Sequence, residues 1–311
     1  VSEVRRTFEC FGGSVSVTVF GPRSMQPEDA VAAAEARLLA AHRQLSRFLL
    51  DSDLNRLNRD PRASVPTSPL LLRLASAVRE AGELSGGLVD ATLLREIEAA
   101  GYRDSMQHRP AGGPLAEPAA GNGAPARPSP ERSWAEISVD RRAGTIKRPP
   151  GVEIDSGGVA KGMLADEVAA TLAGFPAYAV DCCGDARIGG TAGQPRSVRV
   201  EDPRGGEPIH TLQVSDGGVA TSGITRRSWE GEDGAPAHHL LDPATGAPAF
   251  TGVVQATALA PTAFLADIHA KWALLSGPEL APSRLPYGGV LVLADGSVET
   301  VRAHAPIASA A

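Results

Sequence analysis

Residues 13–20 read Gly13-Ser-Val-Ser-Val-Thr-Val-Phe20. Val15, Val17 and Val19 alternate with polar neighbours, the period-two pattern of a half-buried strand. A few residues later the period changes. From Pro27 onward, Val31, Ala34, Leu38 and Leu45 recur at spacings near one helical turn, and proline suits the first turn of a helix. A second helix is expected from about Pro69 to Glu83, with Leu70, Leu71, Leu74, Ala77, Val78 and Ala81 on one side. Further strands are expected at 134–139, 143–148, 177–181, 197–201, 209–214 and 253–260. Helices are expected at about 158–172 and 262–275, and a hairpin at 289–294 and 297–302 around Asp295-Gly296, a good two-residue turn. Runs of strands broken by a few helices predict an α+β fold, with mixed or antiparallel sheets and packed helices, and not a regular βαβ repeat.

The chain has 311 residues, 42% hydrophobic and 21% charged, with a formal net charge of −6. That is the balance of a globular protein with ample length for a core. Between 110 and 130, 16 of 21 residues are Pro, Gly or Ala. Segment 105–133 is therefore expected to be a flexible insertion into one domain made of 1–104 and 134–305. No apolar run is long enough to span a membrane, and net acidity without a basic block argues against a nucleic-acid partner. The first residues lack the apolar segment of a signal peptide. The sequence as given thus fits the cytoplasm, or a site outside it if a leader has been removed. Cys10, Cys182 and Cys183 are odd in number and two are adjacent, which is neither a disulfide framework nor a zinc spacing. The 30 basic residues include only three lysines, Lys147, Lys161 and Lys271.

P-loop, nucleophile-elbow and zincin motifs are absent. Five other segments carry chemistry. Asp155-Ser-Gly-Gly-Val-Ala-Lys-Gly162 opens a helix; paired glycines let backbone approach a ligand, free N–H groups favour an anion, and Lys161 adds a positive charge. It reads equally as a phosphate cradle and as a glycine-rich turn. Val219-Ala-Thr-Ser-Gly223, followed by Arg226 and Arg227, offers the hydroxyls of Thr221 and Ser222 beside a turn. His238-His-Leu-Leu-Asp-Pro-Ala-Thr-Gly246 holds an imidazole able to take a proton from a hydroxyl. In Ala266-Asp-Ile-His-Ala-Lys271, Asp267 and Lys271 are four apart and share a helix face. Ser85-Gly-Gly-Leu-Val-Asp-Ala-Thr92 is, by itself, a glycine turn.

Taken in order, these segments resemble the ApbE family of FAD:protein FMN transferases. Phe11-Gly-Gly-Ser-Val15 sits at the family's M-G-T-T-V-like start. Leu45-Ser-Arg-Phe48 and Asp51-Ser-Asp-Leu-Asn-Arg-Leu-Asn58 are similar to its F-S-x-[FY]…S-E-[LI]-S-R-[LF]-N segment. Gly86–Thr92, Asp155–Gly162, Thr221–Gly223 and His239–Gly246 resemble its four glycine- and histidine-bearing motifs. The resemblance implies a T-fold-related architecture with the flavin site in a central cleft. It also implies cleavage of FAD, attachment of FMN through phosphate to a Thr or Ser of a target carrying a D-x-x-[ST]-G-A-[ST]-like motif, and release of AMP. Carried over by position, Phe11, Phe48, Leu88, Val89, Asp90, Asp155, Lys161, Thr221, Ser222 and Val254 would line the FAD site. Mg²⁺ would sit on Asp267 and the carbonyls of Gly158 and Ala270, and His239 would be the base.

One position departs from the pattern. The family commonly has D-x-x-A-T on the last helix, its Thr helping to hold Mg²⁺; here that place is Lys271. An ammonium cannot ligate a metal. The expectation is that Lys271 supplies part of the phosphate neutralisation alongside Lys161 and weakens or replaces one metal site. An FAD pyrophosphatase and a non-catalytic FAD-binding protein are the competing readings.

Overall fold

The computed structural model describes residues 3–21, 24–105, 123–231 and 234–307. The opening strands are β1 (Glu3–Cys10) and β2 (Gly13–Phe20), with α1 (Pro27–Leu45) following directly. Val15, Val17 and Val19 are fully buried, and so are Leu38 and Leu45 on the inner stripe of α1. After α1 come α2 (Asp53–Arg59), β3 (Ser64–Pro66), α3 (Pro69–Ser85) and α4 (Leu94–Ala99). Then follow β4 (Ser138–Asp140), β5 (Thr145–Lys147) and α5 (Ala160–Leu172). The second half supplies β6 (Ala177–Cys182), β7 (Asp185–Gly189), β8 (Arg196–Val200), β9 (His210–Val214) and β10 (Gly217–Gly223). It closes with β11 (Ser228–Glu230), β12 (Pro236–His238), β13 (Val253–Ala260), α6 (Ala263–Leu280), β14 (Gly289–Leu293) and β15 (Val298–Val301).

Eight strands form one antiparallel sheet in the order β1-β2-β6-β7-β10-β13-β14-β15. The α+β architecture is as expected. Helices α1, α5 and α6 cover one face, and α3 packs on them from outside. The period-two alternation of β13 decides which side chains meet α6. Ala256 and Ala258 join Ala270, Ala273 and Leu274 in one apolar cluster. On the other face Val219, Ile188 and Val290 pack against Leu212 and Val214 of the β8–β9 hairpin.

Two helix–helix contacts set the later site. Gly162 on α5 lies so close to α6 that a Cβ there would come within 2.7 Å of the Ala263 carbonyl oxygen. Asp166, one turn on, accepts from the N–H groups of Ala263 and Phe264 at 2.8 and 2.9 Å, capping α6 at its orphan donors.

Several expectations change in detail. Segment 134–139 is not one strand: a short 3₁₀ turn over Ser133–Glu136 precedes β4, because Trp134 turns inward against Gly82 of α3. Segment 219–223 is no turn but the C-terminal part of β10. Helix α6 runs past 275 to a kink at Gly277, where φ is 75° and Pro278 follows. Of the stretch expected to be an insertion, 106–122 lie outside the described residues. Residues 123–133 pack onto the body: Ala126 is buried, its N–H donates to the Leu275 carbonyl at 2.9 Å, and the Arg127 N–H donates to Asp242 at 2.9 Å. Small side chains and prolines without periodicity can still lie flat against a helix end, which composition does not reveal.

Candidate active site

A cavity of about 310 Å³ opens between the end of α1, the Phe11-Gly12 turn, the segment after α3 and the start of α5. The turn joins β1 to β2, and both of its residues have positive φ, 55° at Phe11 and 75° at Gly12. Right-handed strand twist favours such a turn, but positive φ is costly at a bulky side chain. The Phe11 ring packs edge-on to His42, centroids 5.4 Å apart, at the cavity wall.

A polar scaffold holds the next wall. Ser52 caps α2 by accepting from the Asn55 N–H at 3.1 Å. The Asn55 amide donates to the Arg47 and Leu49 carbonyls at 2.7 and 2.9 Å, which shapes the loop carrying Phe48. The Arg47 guanidinium lies 4.3 Å over the Phe48 ring and 4.7 Å over Tyr102, and donates to the Tyr102 carbonyl at 2.7 Å. A cation stacked on two rings and bound at its N–H groups fixes an aromatic wall.

Asn58 and Ile154 exchange two hydrogen bonds of 2.9 Å, one in each direction. The buried Arg148 donates to the Leu57 and Asp60 carbonyls at 2.5 and 2.8 Å, satisfying the C-terminal end of α2. These bonds deliver the chain to Asp155, whose carboxylate accepts from the Gly157 N–H at 3.1 Å. The Ser156 hydroxyl donates to the Leu45 carbonyl at 2.7 Å. Opposite, Gly86 and Gly87, with φ of 64° and 93°, reverse the chain after α3 and lead to Asp90. Asp90 Oδ1 accepts from the Thr92 N–H and hydroxyl, and Oδ2 is buried without a partner. Burial raises its carboxyl above the usual range.

Both cavity lysines are ion-paired. The Lys161 ammonium donates to Asp185 Oδ2 and the Lys271 ammonium to Asp267 Oδ1. The carboxylates are about 1% exposed, whereas the Lys161 and Lys271 side chains keep 13% and 10%. Among the described residues, Asp185 Oδ1 and Asp267 Oδ2 have no hydrogen-bond partner. Burial, reinforced by the nearby charge of Asp267, pushes the Asp185 carboxyl up to about 6. Alongside stands His239, its Nδ1 3.4 Å from the Arg227 carbonyl oxygen. Burial lowers its basicity well below the usual value, and the charges of Arg227, Lys271 and Lys161 lower it further, so the ring is neutral near pH 7. The Arg227 guanidinium donates to the Phe11 carbonyl at 3.4 Å and also borders the cavity.

The cavity thus gathers Phe11, Phe48, Leu88, Val89, Asp90, Asp155, Gly158, Lys161, His239 and Lys271. Five expected positions do not line it. Thr221 is exposed on the sheet face away from α6, its hydroxyl 2.9 Å from that of Thr257; in an extended strand it and Ser222 must point to opposite faces. Ser222 is buried on the α6 side, and Val254 packs against the apolar cluster behind the cavity. Asp267 and Ala270 lie buried behind Lys271. His269 lies with its Nδ1 2.8 Å from the Arg284 carbonyl oxygen. Sequence reading missed Asp185, Arg47 and Tyr102. The signal for Asp185 was there: a lysine in the buried first turn of a helix requires a carboxylate partner, and Cys183-Gly184 forms a turn of positive φ that sets Asp185 at the head of β7.

The model of the ApbE family matches residues 11–287. The chain belongs to the ApbE family. Every cavity-lining position just named falls inside the ApbE match. The FAD:protein FMN transferase of Klebsiella pneumoniae is 28% identical over 285 residues, 89% of this chain and 79% of that one. The FAD:protein FMN transferase of Treponema pallidum is 33% identical over 175 residues, half of this chain and 47% of that one. Among solved structures, the ApbE protein of Thermotoga maritima superposes with a TM-score of 0.78 at 25% identity, covering 97% of both chains. The apo flavinyl transferase ApbE of Pseudomonas stutzeri gives 0.75 at 22% identity, covering 96% of this chain and 95% of that one, and shares the ApbE fold.

Proposed function

We propose that this ApbE-family chain is a flavin transferase that binds FAD in the cavity and moves its FMN half onto a Thr or Ser hydroxyl of an acceptor protein. The observation that carries the reading is the convergence of the Lys161 and Lys271 ammonium groups beside a neutral His239 in one aromatic-walled cavity. The names borne by the Klebsiella and Treponema relatives support it.

The acceptor oxygen attacks the phosphorus on the FMN side of the pyrophosphate. A P–O bond to the acceptor forms, the P–O bond to AMP breaks, and AMP leaves with the bridging oxygen and its electron pair. Such a transfer needs its charge neutralised and its nucleophile positioned more than it needs covalent help. Lys161 and Lys271 supply compact positive charge from a buried frame, and Arg227 adds a third cation. When Nδ1 of His239 donates its proton to the Arg227 carbonyl, Nε2 keeps a lone pair and accepts the hydroxyl proton as the new bond forms. Phe11, Phe48 and Leu88 offer flat apolar surface for a ring system, and the unpartnered Asp90 Oδ2 offers a polar atom at its edge.

The family resemblance implies Mg²⁺ held by Asp267 with the Gly158 and Ala270 carbonyls. The residues present do not fit a divalent ion there. The one carboxylate of that set already accepts from the Lys271 ammonium. Two unit charges about 4 Å apart at an effective dielectric near 20 interact by about 4 kcal/mol, and a divalent ion doubles that repulsion. The pyrophosphate charge is met instead by Lys161, Lys271 and Arg227.

Incubation with FAD and a peptide carrying the D-x-x-[ST]-G-A-[ST] pattern tests the function. A mass gain of FMN on the peptide with stoichiometric AMP supports transfer. Free FMN and AMP with an unmodified peptide would replace it with the pyrophosphatase reading, and unchanged FAD with simple binding.

A further inference from the structure

We infer that Lys271 does in this chain the work of a divalent cation, so that FAD cleavage here proceeds without Mg²⁺. The inference rests on the transferase reading and concerns how its phosphates are neutralised.

Three observations on α6 and α5 lead to it. First, Lys271 and Asp267 stand one helical turn apart, and the ammonium sits on Asp267 Oδ1, at the carboxylate a cation would use. Second, this ammonium is not buried for structural reasons alone. It borders the cavity, and its side chain is more exposed than its carboxylate partner. An ammonium has three donors; one is used on Asp267, which leaves donors for phosphate oxygens. Third, the pair is duplicated. Lys161 and Asp185 repeat the same arrangement from neighbouring elements, ammonium toward the cavity and carboxylate behind it. Two lysines and two aspartates sum to zero charge, and Arg227 borders the same cavity.

The duplication matters physically. Asp185 and Asp267 are both buried, each beneath a lysine that borders the same cavity. Two carboxylates so placed need cations. A divalent ion can serve both, and so can two ammonium groups. This sequence has committed to the second solution by placing a lysine on each aspartate. A bound pyrophosphate then meets two N⁺–H donor sets held in fixed positions, which is electrostatic preorganisation of the kind an ion gives.

Two measurements on the full chain test the inference, one of which does not depend on turnover. Mn²⁺ titration followed by electron paramagnetic resonance, with FAD present, reads the metal site directly. The wild-type chain is expected to leave Mn²⁺ free, whereas Lys271→Thr is expected to bind it. AMP release from FAD is then followed in EDTA and in added Mg²⁺. Wild type is expected to be unaffected by EDTA. Lys271→Thr is expected to lose about a hundredfold in EDTA and to recover with Mg²⁺. Lys271→Arg, which keeps the charge and the fold, is expected to remain independent of metal. Tight Mn²⁺ binding by wild type, or loss of wild-type cleavage in EDTA with recovery in Mg²⁺, overturns the inference and leaves the transferase reading standing. If no variant cleaves FAD under any condition, the transferase reading fails, and the Mn²⁺ titration still decides whether Lys271 has displaced the metal.

Discussion

The ammonium of Lys161, in the first turn of α5, is paired with the carboxylate of Asp185, 24 residues further on at the head of β7. Helix and strand meet there because α5 packs across β6 and β7. The carboxylate is sealed behind the pair, and the ammonium is left at the cavity. Breaking a buried pair on one side strands a charge and costs more than removing both partners. Asp185→Asn is therefore expected to lower thermal stability and to slow FAD cleavage, since Lys161 loses its anchor. Lys161→Met is expected to slow cleavage as much, and the double variant to be no slower than either single one. Additive losses in a double-mutant cycle of AMP release would separate the two residues.

His239 is half-buried and faces the charges of Arg227, Lys271 and Lys161, so its basicity falls well below the usual value and its imidazole stays neutral well below pH 6.5. The acid limb of the transfer rate is accordingly expected below pH 6.5, with a flat rate across neutrality. His239→Ala is expected to bind FAD as tightly as wild type, read by flavin fluorescence, and to lose transfer by about a hundredfold or more. Full transfer in that variant contradicts the base assignment.

Neighbouring His238 makes a separate prediction about stability. Its ring is fully buried, edge-on to Phe250 at 4.7 Å, and its Nδ1 accepts from the Leu240 N–H at 3.2 Å. Burial lowers its pKa from 6.5 to about 4. Between those values the unfolded chain binds a proton that the native one does not. Stability from this group is thus complete above pH 6.5 and is lost as pH falls toward 4, by on the order of 3 kcal/mol in all. His238→Asn keeps an acceptor near the Nδ1 position and removes the titration. Urea melts at pH 7 and pH 5 should show a smaller difference for the variant than for wild type; equal differences sink the assignment.

Gly162 is held by contact and not by backbone conformation. A Cβ there would lie 2.7 Å from the Ala263 carbonyl oxygen and 2.8 Å from the Phe264 Cα, both backbone atoms that cannot step aside singly. Gly162→Ala is expected to push α5 from α6, lowering stability by about 1–3 kcal/mol and shifting Lys161 relative to Lys271. FAD cleavage should fall by more than the loss of folded protein accounts for. A variant with wild-type melting and wild-type cleavage would show that the two helices can separate freely.

Much of the site was legible because its motifs are local. The Gly86–Thr92 and Asp155–Gly162 segments each contain their own turn chemistry, and both reach the cavity. Lys271 and Asp267 share a helix face by spacing alone, and they meet. Thr221 was misplaced for an equally local reason: a Thr-Ser-Gly run looks like a turn, yet it forms the last three residues of β10 because β13 pairs along it. No residue of the run itself carries that information.

By itself, then, the sequence determined the strand and helix periods, the glycine-rich turns and the identity of the charged groups. Each follows from side-chain spacing or from what a single residue type can do. Only the tertiary structure decided which charges are partners. Asp185 meets Lys161, and Asn58 clamps Ile154, because antiparallel pairing and helix packing bring together residues far apart in the chain. The physical reason is burial: a solvated lysine can stand alone, but one packed between a helix and a sheet must take its counter-charge from whatever strand the fold lays beside it.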